Sequence, residues 1–152
     1  MVEQNARLFS LNTVWKENSD IYRRMAKSIG LTETELWILY TLRVEPGEIT
    51  QSRMCEFLHE PKQTVNSALK KMEAGGLLVL ESGQNRRAKT IRLTETGLRL
   101  AQKTVDRVWQ TETLALSQFS EEDAERMFAL MRRMNALMVE IFPTTAREEE
   151  ET

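Results

Sequence analysis

The apolar period of this chain changes after Gly75-Gly76, and that change restricts the fold more than any other feature. Upstream, apolar residues recur at three- and four-residue steps. Leu36, Leu39 and Tyr40, extended by Leu42, lie on one side of a helix. Thr32 opens it, with Glu35 three residues later as a capping box. Pro46-Gly47 is a turn. Thr50 then caps a short helix carrying Met54, Phe57 and Leu58. Pro61 suits the first position of the next helix, whose inward face is Val65, Ala68, Leu69 and Met72. Gly75-Gly76 ends that helix. Two short apolar runs follow, Leu77–Leu80 and Thr90–Leu93, separated by Ser82-Gly83-Gln84-Asn85 and then Arg86-Arg87. This is the pattern of a β-hairpin with a charged tip. Residues 32–94 therefore predict three helices and a two-stranded wing.

Further helices flank this unit. Leu8, Leu11, Trp15, Tyr22, Met25 and Ile29 form one stripe of a long helix, interrupted at Asn18 and stopped by Gly30. Thr94 caps a fifth helix with Leu98, Ala101, Val105, Val108 and Trp109 on one stripe. Ser120, with Asp123 behind it, caps a sixth that carries Met127, Met131, Met134, Met138 and Ile141 and stops before Pro143. The expected organisation is one mostly α protomer over 1–152, with a small β-hairpin wing. Its winged-helix unit is 32–94, its outer helices are 5–30 and 95–142, and 143–152 is an acidic tail.

Charge is unevenly placed along this chain of net charge −2. Residues 50–93 hold eight basic side chains against four acidic ones, a balance of +4, so the remainder carries −6. A basic centre between acidic helices suits one surface that meets a polyanion. No acidic residue lies between Lys62 and Met72. At about 100° per residue, Gln63, Asn66, Ser67 and Lys70 are expected outward, with Lys62, Thr64 and Lys71 on the flanks. Amides can read base edges, and hydroxyls and lysines can hold phosphates. Arg86, Arg87 and Lys89 cluster on the hairpin tip, where arginine suits the negative potential of a narrow minor groove.

Other chemistries find little in the sequence. It has no phosphate-binding glycine loop, nucleophile elbow or paired-cysteine motif, so no enzyme and no cofactor are expected. One cysteine, Cys55, and one histidine, His59, have no metal-ligand spacing. Cys55 reads as a small packing residue or, alternatively, a redox sensor. No secretory signal and no apolar run of about 20 residues is present, so neither a membrane span nor a membrane partner is expected, and the cytoplasm is the expected setting.

With these pieces together, the chain resembles the MarR family, the multiple-antibiotic-resistance type of winged-helix regulator. The residues that carry the resemblance are Leu31-Thr32-Glu33-Thr34-Glu35, Thr64-Val65-Asn66-Ser67-Ala68-Leu69 running into Lys71-Met72-Glu73-Ala74-Gly75-Gly76-Leu77, Asn85-Arg86-Arg87-Ala88, and Arg92-Leu93-Thr94-Glu95-Thr96-Gly97. The resemblance implies a regulator, a ligand-responsive repressor, that binds a palindromic operator in duplex DNA as a homodimer held by its first and last helices. It implies a recognition helix at 61–75 and a wing whose family arginine is Arg87. The aspartate usual two residues before that arginine is Asn85 here, and Ser67 stands where many members carry arginine. The expected DNA-binding set is Lys62, Gln63, Thr64, Asn66, Ser67, Lys70, Lys71, Arg86, Arg87 and Lys89. The expected dimer interface is Leu8, Leu11, Met127, Met131, Met134, Met138 and Ile141, with core packing the alternative for the methionines. A pocket for a small-molecule effector, plausible for the family, has Trp15, Tyr22, Trp37 and Tyr40 as candidate lining, or as core. The rival function is a protein-interaction adaptor without specific DNA binding, which predicts no salt-sensitive binding to duplex DNA.

Overall fold

The structure is a computed structural model that describes residues 2–82 and 89–142. The order of elements is α1 (Val2–Ser28), α2 (Glu33–Val44), β1 (Ile49–Thr50), α3 (Gln51–Leu58), α4 (Lys62–Ala74), β2 (Leu78–Ser82), β3 (Lys89–Leu93), α5 (Glu95–Leu116) and α6 (Glu121–Ile141). The expected class, mostly α with a hairpin wing, is the one found. The chain forms two compact units, Met1–Trp109 and Gln110–Thr152, so α5 spans the boundary.

In the first unit the helix ends follow the expected chemistry. Thr32 accepts from the Glu35 N–H (3.2 Å), while the Glu35 carboxylate accepts from the Thr32 N–H (2.9 Å), so two orphan donors are satisfied reciprocally. Thr50 Oγ1 accepts from the Arg53 N–H and starts α3. That helix ends on His59 in the left-handed region (φ 51), a conformation histidine tolerates better than bulkier or branched residues. Pro61, expected as the first helical residue, is instead the cap, and α4 begins at Lys62. Gly76 (φ +69) closes α4 with two paired bonds, Leu77 N–H to Met72 O and Gly76 N–H to Glu73 O.

The sheet has the order β1-β3-β2, all antiparallel. Leu80 and Thr90 face Ile91 and Glu81 across the hairpin, and Ile49 pairs with Ile91 on its other side. No sequence signal marks β1, because two residues show no alternation. Its pairing with β3 turns the wing into a three-stranded sheet anchored beside the cap of α3. The hairpin tip, 83–88, lies outside the described residues, and so does the tail, 143–152.

The core is built around α2. Leu36, Ile38 and Leu39 are fully buried with Met54 of α3, Val65, Leu69 and Met72 of α4, and Ala101 and Val105 of α5. Leu78 of β2, Ile91 of β3 and Ala26 of α1 close it. Ile38 and Thr41 lie off the expected stripe of α2 and are buried too, because this helix is covered on more than one side. On α5 the buried line runs through Gly97, Ala101, Thr104, Val105 and Val108. Leu98 and Trp109, expected on it, are exposed. They sit roughly 75–95° from the centre of that line at 100° per residue.

One approach of backbone to backbone fixes how α5 leaves the wing. A Cβ on Gly97 would lie 1.8 Å from Leu77 O, so only glycine permits it. Thr94 closes the same junction: its N–H donates to Leu77 O (3.1 Å), and its hydroxyl donates to Gly76 O (2.6 Å) and accepts from the Gly97 N–H (3.0 Å). The second unit is simpler. Ser120 Oγ caps α6 by accepting from the Asp123 N–H and donates to the Asp123 carboxylate. No residue of α6 is buried.

Gly97→Ala is expected to lose about 3 kcal/mol or more, because backbone must move. Gly76→Ala should lose only about 1–2 kcal/mol, since its left-handed φ is strained for alanine but the space is open. Urea unfolding at matched protein concentration checks the order. An equal or smaller loss at Gly97 would show that the approach to Leu77 does not set the junction.

Candidate nucleic-acid interface

α4 presents its polar residues on the side away from Val65, Leu69 and Met72. Gln63, Ser67 and Lys70 are exposed and recur at four and three residues, which places them on one stripe. Lys62 and Thr64 flank it and are exposed as well. Asn66 differs from the expectation. It is half-buried, and its Oδ1 is buried without a hydrogen-bond partner among the described residues. One step of 100° from Val65 puts it on the flank of the helix rather than on its outer face. A bidentate adenine contact needs both amide atoms, so Asn66 does not offer one in this conformation.

The acidic side chains of the central segment all bind inward or sideways. The Glu60 carboxylate accepts from the Thr34 hydroxyl (3.0 and 3.1 Å), tying the entry of α4 to α2. Glu73 Oε1 accepts from the Leu80 N–H (3.0 Å), tying the end of α4 to β2. Glu56 pairs with Arg53, which also lies 4.4 Å over the Phe57 ring, and Glu81 pairs with Arg92. Lys62, Lys70 and Lys89 have no acidic partner among the described residues. The outward surface of α4 is therefore cationic and amide-bearing although the chain is net negative. Arg86 and Arg87 lie outside the described residues.

Lys71 departs from its expected place. Its ammonium donates to Glu35 Oε1 at 2.7 Å, across 36 positions of sequence. Glu35 is buried, while the Lys71 side chain is 71% exposed. Burial pushes the Glu35 carboxyl upward, but the Lys71 bond and the Thr32 backbone and hydroxyl bonds outweigh it and hold the group below its ordinary value of 4.5. Sequence reasoning found the capping role of Glu35 from local spacing and missed this second role, because no local signal names a partner so far along the chain.

The remaining predicted residues fall into separate places. Tyr22, Trp37 and Tyr40 come together: ring centroids are 4.8 Å apart for Tyr22–Trp37 and 5.5 Å for Trp37–Tyr40. Trp15 lies two helical turns before Tyr22 and lines an open groove on α1 with Asn12, Lys16, Ser19, Asp20 and Arg23. Leu8, Met131, Met138 and Ile141 are exposed, and Leu11, Met127 and Met134 are half-buried. Cys55 is a half-buried free thiol packed against the core. Among the described residues no acidic, histidine or cysteine cluster could hold a metal ion, and no helix is long and apolar enough to cross a membrane.

Helix, turn, helix and wing, with a cationic stripe on the second helix of the pair, define a winged helix-turn-helix protein. Comparison narrows the class. The model of the MarR family matches residues 29–88. The HTH-type transcriptional regulator PecS from Dickeya dadantii is 33% identical over 112 residues, covering 72% of this chain and 68% of PecS. A MarR family regulator from Neisseria meningitidis has a structure with a TM-score of 0.79 at 26% identity, over 89% of this chain and 95% of its own. The MepR–DNA complex of S. aureus has the same fold, with a TM-score of 0.69 at 22% identity over 87% of this chain and 97% of MepR. This chain belongs to the MarR family of transcriptional regulators.

The Glu35 carboxylate gives a pH signature. A folded pKa below the unfolded one stabilises the native state fully above pH 4.5, and that contribution is lost as pH falls through the folded value. Unfolding free energy should therefore decline below pH 4.5, and less steeply in Glu35→Gln. Chemical denaturation from pH 3 to 7 measures both, and identical slopes in the two proteins would remove Glu35 from the acid response.

Proposed function

We propose that this protein is a transcriptional regulator that binds duplex DNA as a homodimer, α4 entering the major groove and the wing reaching the minor groove. The observation that carries the reading is the exposed stripe of Gln63, Ser67 and Lys70 on α4, flanked by Lys62 and Thr64, with the neighbouring acids engaged elsewhere. Gln63 and Ser67 would face base edges, and Lys62, Lys70 and Lys89 phosphates, with Arg86 and Arg87 at the minor groove. The structure of MepR with DNA supports this use of the fold.

Dimerisation is proposed through the outer helices. Phe9, Val14, Leu130, Met138, Val139, Ile141 and Phe142 are more than half exposed, and apolar faces of this extent mark association surfaces. A two-fold dimer would set its two α4 helices about 34–36 Å apart, in successive major grooves of a palindromic operator. The aromatic group of Tyr22, Trp37 and Tyr40, with Trp15 along the same helix as Tyr22, is the proposed effector site. Binding there would shift the spacing of the two recognition helices and release the operator, which makes the protein a ligand-responsive repressor working in the cytoplasm.

A competition series on single-base operator variants at fixed salt tests the base reader. Gln63→Ala should lose about 1–3 kcal/mol of discrimination at one position of each half-site. Arg87→Ala should weaken all duplexes and flatten the salt dependence by about 0.9 log units for each phosphate it no longer neutralises. Absence of any salt-sensitive binding by the wild-type protein would favour an interaction adaptor instead. Deleting residues 120–152 should abolish the dimer in sedimentation equilibrium, and a well-folded dimer without them would move the interface elsewhere.

A further inference from the structure

We propose that Glu35 and Lys71 form an internal strut that positions α4 for DNA, and that Lys71 holds this protein carboxylate rather than a DNA phosphate. The inference rests on the DNA-binding reading above and assigns Lys71 and Glu35 a positioning role within it.

Three observations carry it. The Lys71 ammonium is 2.7 Å from Glu35 Oε1, and the other oxygen, Oε2, is already held by the Thr32 N–H. The carboxylate is therefore locked onto the first turn of α2, a helix whose Leu36, Ile38 and Leu39 are fully buried. It is a rigid anchor, and Lys71 fastens the last turn of α4 to it. The adjacent Thr34 hydroxyl holds Glu60, just before α4 begins. The first turn of α2 thus grips α4 at both ends. Between these two ties runs the stripe of Gln63, Ser67 and Lys70.

Charge points the same way. Glu35 and Lys71 are neutral as a unit, so bringing the pair to a phosphate displaces little condensed counterion. For Lys71 to act as a full cation at DNA it would have to leave Glu35 buried and unpaired. Abandoning a buried charge is more unfavourable than one exposed, salt-screened interaction is favourable. Lys70, one residue earlier, has no acidic partner among the described residues and takes the phosphate role. Two adjacent lysines on one helix are thereby given different tasks by their partners, not by their chemistry.

The test uses the full-length protein and two 30-base-pair duplexes: one selected from a random pool by the wild-type protein, and one of arbitrary sequence. Affinity is measured from 50 to 300 mM salt for the wild type, Lys70→Met, Lys71→Met, Glu35→Gln and the double variant Lys71→Met/Glu35→Gln, with thermal unfolding of each as a folding control. The strut predicts that Lys71→Met weakens the selected duplex about tenfold or more, as a misplaced base reader does, with an unchanged salt slope. Lys70→Met should flatten the slope by about 0.9 log units per phosphate. Because the two strut residues act as one unit, the double variant should be no weaker than the weaker single variant. Lys71→Arg, which keeps the cation for Glu35, should restore wild-type discrimination between the two duplexes. Flattening of the slope by Lys71→Met to the extent seen with Lys70→Met overturns the strut and leaves the DNA reading intact. Salt-independent or absent binding by the wild-type protein overturns the DNA reading and the strut with it.

Discussion

The junction of Gly97 with the Leu77 backbone governs how the functional pieces of this protein are joined. Leu77 follows the last turn of α4 and precedes β2, while Gly97 lies in the first turn of α5. Bringing them within van der Waals distance closes the base of the wing and starts α5 in one place. The Thr94 side chain, acting as donor to Gly76 and acceptor from Gly97, joins both ends of that closure with one hydroxyl. Recognition helix, wing and the start of α5 consequently behave as one body, whose parts are over-determined by backbone contact and not by side-chain packing alone.

Upon that frame the acids do most of the positioning. Glu35, Glu60 and Glu73 reach Lys71, Thr34 and the Leu80 amide, and so tie α4 to α2 and β2. Each bond satisfies a partner that is partly withdrawn from water or belongs to the backbone. Taken together, they remove negative charge from the outer face of α4. A chain of net charge −2 can in this way offer a local cationic surface. Electrostatic attraction to a polyanion depends on that local field more than on the total.

The outer helices have the opposite character. The first half of α1 and the whole of α6 carry large apolar side chains that the protomer does not bury. Hydrophobic surface of that extent is stable in water chiefly when another surface covers it. A symmetric partner is the proposed cover, and the proposed effector site lies where α1 meets α2 through Tyr22 and Trp37. Arg43 and Asp106, a bidentate pair at 3.0 and 3.1 Å, tie α2 to α5. A change in α1 or α5 therefore has short physical routes, through α2, to the unit that carries α4.

Local chemistry was legible from the chain alone. Thr32 with Glu35, Thr50, Thr94 and Ser120 are caps because their side chains reach backbone amides two or three residues on, and Gly76 stops a helix because only glycine is at ease at its φ. Period alone separated helices from wing, and the motifs around Thr64–Leu77 and Arg92–Gly97 pointed to the family. What needed the tertiary structure were facts about pairs distant in sequence. The two-residue strand β1 exists only because β3 is beside it. Gly97 is a necessity only because Leu77 is there. Asn66 and Lys71 read as outward polar residues from the helix itself, yet one is half-buried and the other is held by Glu35, since the neighbours that decide exposure and pairing come from α2 and the core. Sequence determines what each short segment prefers, because those preferences act over three or four residues. Which lysine is free and which is tied depends on contacts 36 residues apart, and only the folded chain brings them together.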